Sequence, residues 1–354
     1  MTTQRFYVAT YTQNLPHVPS ASGKGIYQME LDPESGQLSG AKLVAELPNP
    51  TFVAVRPDGK TLLAVSETEH GAIFSYEIHD WGLRIRSAQS ALEWATAFVS
   101  TDLSGQFAFA ANYIGKTSVL AYPINADGAL LPHVAVDCHE HHVVREPHED
   151  PHAHCIRPHP GGRYMAATNL GTDEVYVYDL QGPDGPLSRT QIVAFPSCSG
   201  PRHIQFDASG TRAFVALELS SQVASLMVEP ATGTMTLLNI ASTLPAEAQD
   251  QKNTPSEVLV SPDGKFIYVG NRGHDSIAVF SVHPDTAELT LLENVSTQGE
   301  VPRGLVLSPD AHFLLAANQN SNSILVFKRN EETGILQAGD LFPCPSPVGL
   351  AFLP

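Results

Sequence analysis

Apolar and polar residues along this chain alternate over short runs rich in Val, Ile, Phe and Tyr. Gly, Pro and Asp bound each run, and no segment holds a helical period, so the pattern predicts strands throughout. The strands come in a repeated order. A short apolar strand opens each unit, as in NPTFVAVRPDGK (49–60), GPRHIQFDASGT (200–211), TPSEVLVSPDGK (254–265) and VPRGLVLSPDAH (301–312). A Pro-Asp-Gly or Ser-Gly turn follows, then a second strand such as QFAFAAN (106–112), RYMAATN (163–169) or KFIYVGN (265–271). A third strand and a more polar fourth complete the unit. In the turn, Pro presets φ at its second position and Gly supplies the positive φ that closes the hairpin.

The turn position recurs at Gly59, Gly105, Gly162, Gly210, Gly264 and Ala311. A period of about 50 residues with four strands per unit predicts a β-propeller. Six units are complete. A seventh begins at SPVGLAFLP (346–354), stops before its turn, and resumes at the other terminus in RFYVATYT (5–12). The expected fold is all-β: a seven-bladed β-propeller with four antiparallel strands per blade, residues 1–354 forming one domain. The N- and C-terminal strands share a blade and so close the ring, with the C-terminal strand innermost.

Propeller connectivity sorts the loops. The Pro-Asp-Gly turns lie on one face. The loops entering the inner strands and those leaving the second strands lie on the other, around the central funnel. These funnel loops carry DPHAHC (150–155), GPRHI (200–204), PSEVL (255–259), VPRGL (301–305), NRGHDS (271–276) and NQNSNS (318–323). Arginine and histidine gathered at one mouth predict an anion site, because the guanidinium fork matches carboxylate or phosphate. Asn112, Asn169, Asn271 and Asn318 recur at one blade position, which predicts a structural role in bonding neighbouring loops. Residues that depart from the repeat are the better site candidates. His154, Arg202, His203, Glu218 and Arg272 do so, Glu218 standing where four other blades have asparagine.

Composition narrows the partners. The net charge of −17 argues against nucleic acid. No apolar run is long enough to span a membrane, and MTTQRFYVATYT lacks the pattern of a secretory signal, so a cytoplasmic protein is expected. Cys138, Cys155, Cys198 and Cys344 match no metal or disulfide spacing and are expected to be buried thiols.

The segments 151–180, 200–219 and 271–280, PHAHCIRPHPGGRYMAATNLGTDEVYVYDL, GPRHIQFDASGTRAFVALEL and NRGHDSIAVF, resemble the seven-bladed propeller lactonases. That family includes bacterial 6-phosphogluconolactonases and fungal carboxymuconate cyclases. The resemblance spans the chain. It implies a carbohydrate-metabolism hydrolase of the pentose phosphate type, acting on a small anionic sugar lactone without a cofactor. In the muconate-cyclising relatives a His, an Arg, a Glu and a second Arg line the funnel. They fall here on His154, Arg202, Glu218 and Arg272. Many lactonase relatives have Asn just before that Glu, where this chain has Leu217.

These four are the expected catalytic residues, Glu218 or His154 activating water and an arginine stabilising the oxyanion. His152, His203, Glu257, His274, Arg303 and Gln319, from the same loops, are the expected substrate-binding residues. The alternatives are a lactonising cycloisomerase using the same side chains, or a binding propeller without catalysis. A monomer or weak homo-oligomer is expected. The stretch CHEHHVVREPHEDPHAHC (138–155) lies in the longest gap between turns. Its His139, His141, His142 and His148, with Glu140 or Asp150, are conceivable Zn or Ni ligands. Their spacing matches no closed metal site, so an exposed loop partly covering the funnel, without metal, is expected.

Overall fold

The computed structural model describes residues 3–140 and 150–354. Seven four-stranded antiparallel sheets succeed one another along the chain. Blade one spans the strands from Val53–Val55 to Gly82–Ser90, and blade two those from Trp94–Thr101 to Ala135–Asp137. Blades three to six begin at Ala153, Pro201, Thr254 and Pro302. In blade seven, Pro347–Phe352 lies innermost beside Gln4–Thr10, followed by Gly25–Leu31 and Lys42–Glu46. The ring is closed as the split repeat predicts. The only helical turn among the described residues is the 3-10 segment Ala246–Ala248.

Each blade turns on the same local chemistry. Gly59, Gly105, Gly162, Gly210 and Gly264 have φ between 67° and 77°. Ala311 holds the same turn at φ 57° without glycine's freedom. Second and third strands are buried on both sides, as in YMAATN and EVYVYD of blade three. Outer strands alternate buried and exposed, because one of their faces meets solvent. The core lies between neighbouring blades. Phe98, Phe109, Tyr176, Tyr178, Phe206 and Val215, for example, pack blades two to four together.

The inner strands carry one irregularity that builds the site. In six blades the pairing of inner and second strand slips by an extra residue at the funnel end. Such a β-bulge turns a side chain out of the ladder. The bulged residues include Ala97, His154, Arg202, Ser256, Arg303 and Val348, one per blade around the channel.

Candidate functional site

A second ring lies just outside the bulges. It consists of the residue after the second-strand position that pairs just beyond each bulge: Tyr11, Tyr113, Glu218, Arg272 and Gln319, with Glu67 at the matching place in blade one. The ladder position itself is Asn112, Asn169, Asn271 or Asn318 in four blades. Each of these amides works structurally. Asn271 Nδ2 donates to Thr243 O (2.9 Å), Asn318 to Thr297 O (2.9 Å), and Asn112 to Ala91 O (2.8 Å). In blade four the residue in that register is Leu217, paired with Pro201 as Asn318 is with Pro302. Glu218 therefore does not replace the asparagine, contrary to the expectation from the repeat. It occupies the funnel ring, and Leu217 is the substituted position. A shift of one residue along a strand exchanges its two faces, so Leu217 is fully buried in the core while Glu218 reaches the funnel.

Arginines from three blades converge on this carboxylate. Glu218 Oε2 lies 2.9 Å from Arg202 Nε and 2.7 Å from Arg272 NH2. Arg202 is 2% exposed and also donates to Ser256 O at 2.6 Å. Arg272 Nε donates to Thr254 O at 3.1 Å. Burial works to raise Glu218, but Arg272, Arg202 and Arg303 outweigh it and hold the carboxyl below its usual range. Burial, then Arg272 and Arg303, pull Arg202 down to about 9, so it stays charged at neutral pH. Arg303 has no ion-pair partner among the described residues. Its guanidinium lies 5.3 Å from the centre of the Tyr11 ring. Burial opposes its charge, yet Tyr11, Glu67 and Glu218 prevail and raise its pKa.

His154 is 5% exposed, edge-on to Tyr113 at 5.7 Å and to His203 at 5.1 Å between ring centres. Burial and then Arg202, His203, Arg303 and Arg272 depress its pKa well below the ordinary value, so the ring is neutral at physiological pH. A cavity of about 850 Å³ opens above these groups. Glu218, Arg272 and Arg303, with the neutral His154, form its polar wall. Trp94, Ile114, Leu15 and Pro16 form an apolar wall.

Part of the wall was not singled out from the sequence. Tyr11 donates to both oxygens of Glu67 (3.1 and 3.2 Å), and its hydroxyl meets His17 Nε2 at 3.1 Å. His17 sits on the long loop 11–24 between the first two strands of the chain. That loop is far longer than its counterparts in other blades, and its length was the available signal.

The remaining candidates are distributed in three ways. His203 and Glu257 lie below the cavity, in the channel. His152 stands behind Tyr113, stacked on it at 4.5 Å with Nδ1 2.6 Å from Tyr113 O. His274 and Gln319 do not line the cavity. His274 Nδ1 meets Ser276 Oγ at 2.7 Å within its own turn. Gln319 Nε2 bonds Asn320 Oδ1 (2.9 Å) and His17 O (3.4 Å), tying down the loop.

In the histidine-rich stretch, His139 is buried and stacked on Tyr176 at 3.6 Å. Its Nε2 meets Tyr178 OH at 2.7 Å and its Nδ1 meets Asn169 Nδ2 at 2.9 Å. Both nitrogens are engaged in joining blades two and three, so His139 is a packing residue. His141, His142 and His148 lie outside the described residues. Among the described residues no His, Cys, Asp or Glu cluster has metal-site geometry. Cys155, on an inner strand, and Cys344, packed against the apolar cluster between blades six and seven, are buried, but Cys138 and Cys198 lie in loops outside these clusters and are exposed. No helix of the structure is long and apolar enough to cross a membrane.

A seven-bladed propeller whose bulged inner strands focus arginine, histidine and glutamate on one funnel is the architecture of a lactone-handling enzyme. Residues 5–352 match the family described as lactonase, 7-bladed β-propeller, and the chain belongs to it. It is 36% identical over 297 residues to the 6-phosphogluconolactonase of Bacillus subtilis, covering 83% of this chain and 82% of that protein. The solved periplasmic gluconolactonase of Pseudomonas aeruginosa superposes with a TM-score of 0.91 at 31% identity, over 100% of this chain and 99% of that one. A protein from Lactobacillus plantarum superposes with a TM-score of 0.90 at 32% identity over the full length of both chains.

Proposed function

We propose that the protein hydrolyses an anionic aldonolactone, 6-phosphogluconolactone or a close relative, to the open acid in the cytoplasm. The observation that carries this reading is Arg303. It is the one funnel arginine of the three without an ion pair among the described residues, and it faces the same cavity as His154. A phosphate or carboxylate on the substrate supplies its missing counter-charge. The name of the Bacillus relative supports a phosphorylated sugar lactone as that substrate.

The roles follow from the charges. Arg303 anchors the anionic group. Arg272, held by Glu218 and partly open to the cavity, stabilises the oxyanion that forms on the lactone carbonyl. Arg202, too deep to reach the main cavity, fixes Glu218 and through it Arg272. His154 takes the proton of the attacking water, since it is neutral and its ring borders the cavity. The water oxygen bonds to the carbonyl carbon, and the tetrahedral intermediate then expels the ring oxygen. That oxygen accepts the proton held by His154, which regenerates the neutral ring, and the carboxylic acid so formed ionises to the aldonate. The apolar wall offers Trp94 as a platform for the sugar ring.

Initial rates against 6-phosphogluconolactone, gluconolactone and a carboxymuconate test this reading, each corrected for spontaneous reaction. Preference for the phosphorylated lactone, lost in Arg303→Met, is the expected result. Turnover of the carboxymuconate alone would replace hydrolysis by lactonisation.

A further inference from the structure

Below the cavity the channel narrows to a void of about 10 Å³, enough for one water molecule. Thr51, His154, Arg202, His203, Glu257 and Arg303 surround it. Besides Arg202 Nε, which is ion-paired with Glu218, four of their polar atoms are buried without a hydrogen-bond partner among the described residues: His154 Nδ1, both ring nitrogens of His203, and Thr51 Oγ1. Buried polar atoms are normally satisfied, and four around one small space mark a place where a single small molecule serves them together. We propose that His203 and Glu257 are positioning residues for His154, coupled to it through one water held in this void. The inference rests on reading His154 as the base.

The surroundings are built for that task. Glu257 is 5% exposed and fixed by Arg157 NH2 at 3.1 Å and Leu305 N at 3.0 Å. Its Oε1 lies 3.6 Å from His203 Nδ1, beyond a direct hydrogen bond but close enough to set the direction of the ring's N–H. Phe52 and Phe98 pack edge-on to His203 at 5.9 and 5.3 Å and restrict its rotation. The chemistry has one consistent direction. A base that receives a proton at the nitrogen facing the cavity must already carry its own proton at Nδ1. That buried Nδ1–H needs an acceptor. The water accepts it and donates to His203 Nε2, while His203 Nδ1–H points at Glu257. No proton travels along the row; it holds His154 in the reactive tautomer. Burial, together with the surrounding arginines, keeps His203 neutral and so able to accept at one nitrogen and donate at the other.

The test reads the tautomer directly. Long-range proton–nitrogen NMR of ¹⁵N-histidine-labelled enzyme, free of substrate, reports which nitrogen of each ring is protonated, and the signals lost in His154→Asn assign His154. The expected result is Nδ1–H for His154 in the native enzyme. In His203→Phe that preference collapses and kcat falls at least about tenfold with little change in KM. His203→Gln, which still accepts and donates, restores part of both. Thr51→Val, which removes a single partner and leaves the rings in place, shifts the tautomer population in the same direction, and covers the case where a His203 variant does not fold. An Nε2–H tautomer in the native enzyme, or an unchanged one in both His203→Phe and Thr51→Val, overturns the proposal. If the tautomer responds as expected but His154→Asn keeps native turnover, the positioning stands and His154's role as base falls.

Discussion

Neighbouring charges set what each funnel residue can do. His154 accepts a proton only while neutral, and its folded pKa lies below the unperturbed value of about 6.5. The acid limb of kcat/KM, which reports the free enzyme, is therefore expected well below that pH. A bound anion offsets the arginines that depress His154, so the acid limb of kcat moves to higher pH than that of kcat/KM. Paired pH profiles check both, and a coincident pair of limbs near 6.5 contradicts the assignment. Glu218 shows the opposite dependence. Its folded pKa is depressed by its arginines, so its stabilisation is fully present above the unfolded pKa of about 4.3 and is lost as pH falls through the lower folded value. Glu218→Gln leaves Arg202 and Arg272 without a counter-charge. It is expected to cost about 3 kcal/mol at neutral pH and to weaken turnover by freeing Arg272, with denaturant melts at pH 7 and pH 4 showing a smaller difference at the lower pH.

At the level of strands and loops, the repeat made most of the site legible. It marked the turns, the two faces and the residues that depart from a bland version such as SPVGL. His154, Arg202 and Arg303 were visible because each stands at a bulge where Val348 shows the unelaborated case. Two things were hidden for physical reasons. His17 and the Tyr11 hydroxyl it meets belong to a loop with no counterpart in other units, so there was no period to depart from. His152 and His274 share loops with cavity residues, but side-chain direction depends on the local turn, which spacing alone does not reveal. The turns allow a stability test. Ala311 occupies a left-handed conformation that glycine holds in five other blades, so Ala311→Gly is expected to stabilise by up to about 1 kcal/mol, relief of backbone strain exceeding the added chain entropy. The apolar wall allows a functional one. Trp94 is 52% exposed, so Trp94→Ala is expected to leave the melting temperature nearly unchanged while raising KM. Trp81, the other tryptophan, lies in the turn between the third and fourth strands of blade one, on the face opposite the funnel. In a Trp81→Phe background, fluorescence quenching by lactone or phosphate therefore reports Trp94 alone.

For the molecule as a whole, the decisive contact is the pairing of its two ends. Phe6, Tyr7, Val8 and Ala9 face Phe352, Ala351, Leu350 and Gly349, with Thr10 opposite Pro347. The Phe6 and Phe352 rings lie 5.0 Å apart, Tyr11 N donates to Ser346 O at 3.1 Å, and Leu353 N donates to Arg5 O at 2.9 Å. This strand is the inner wall of blade seven and carries Val348 into the channel beside Arg303. Removing residues 346–354 exposes an unpaired edge at Gln4–Thr10 and leaves the inner strands of blades six and one without their neighbour. Loss of cooperative unfolding and of activity together is the expected outcome. Truncation alone would not separate closure from simple loss of buried surface, and a circular permutant does. Joining Pro354 to Gln4 through a short Asn-Gly linker makes the closing pair a covalent hairpin. New termini between Glu331 and Glu332 fall in an exposed turn away from the funnel. The permutant keeps every strand and every funnel residue. It is expected to retain native kcat and KM and to melt near the native temperature, because the inner strand of blade seven is now held covalently and only the outer strand Leu336–Pro343 pairs from the far end of the chain. A permutant that folds only into an inactive or non-cooperative state would show that the split blade does more than close the ring.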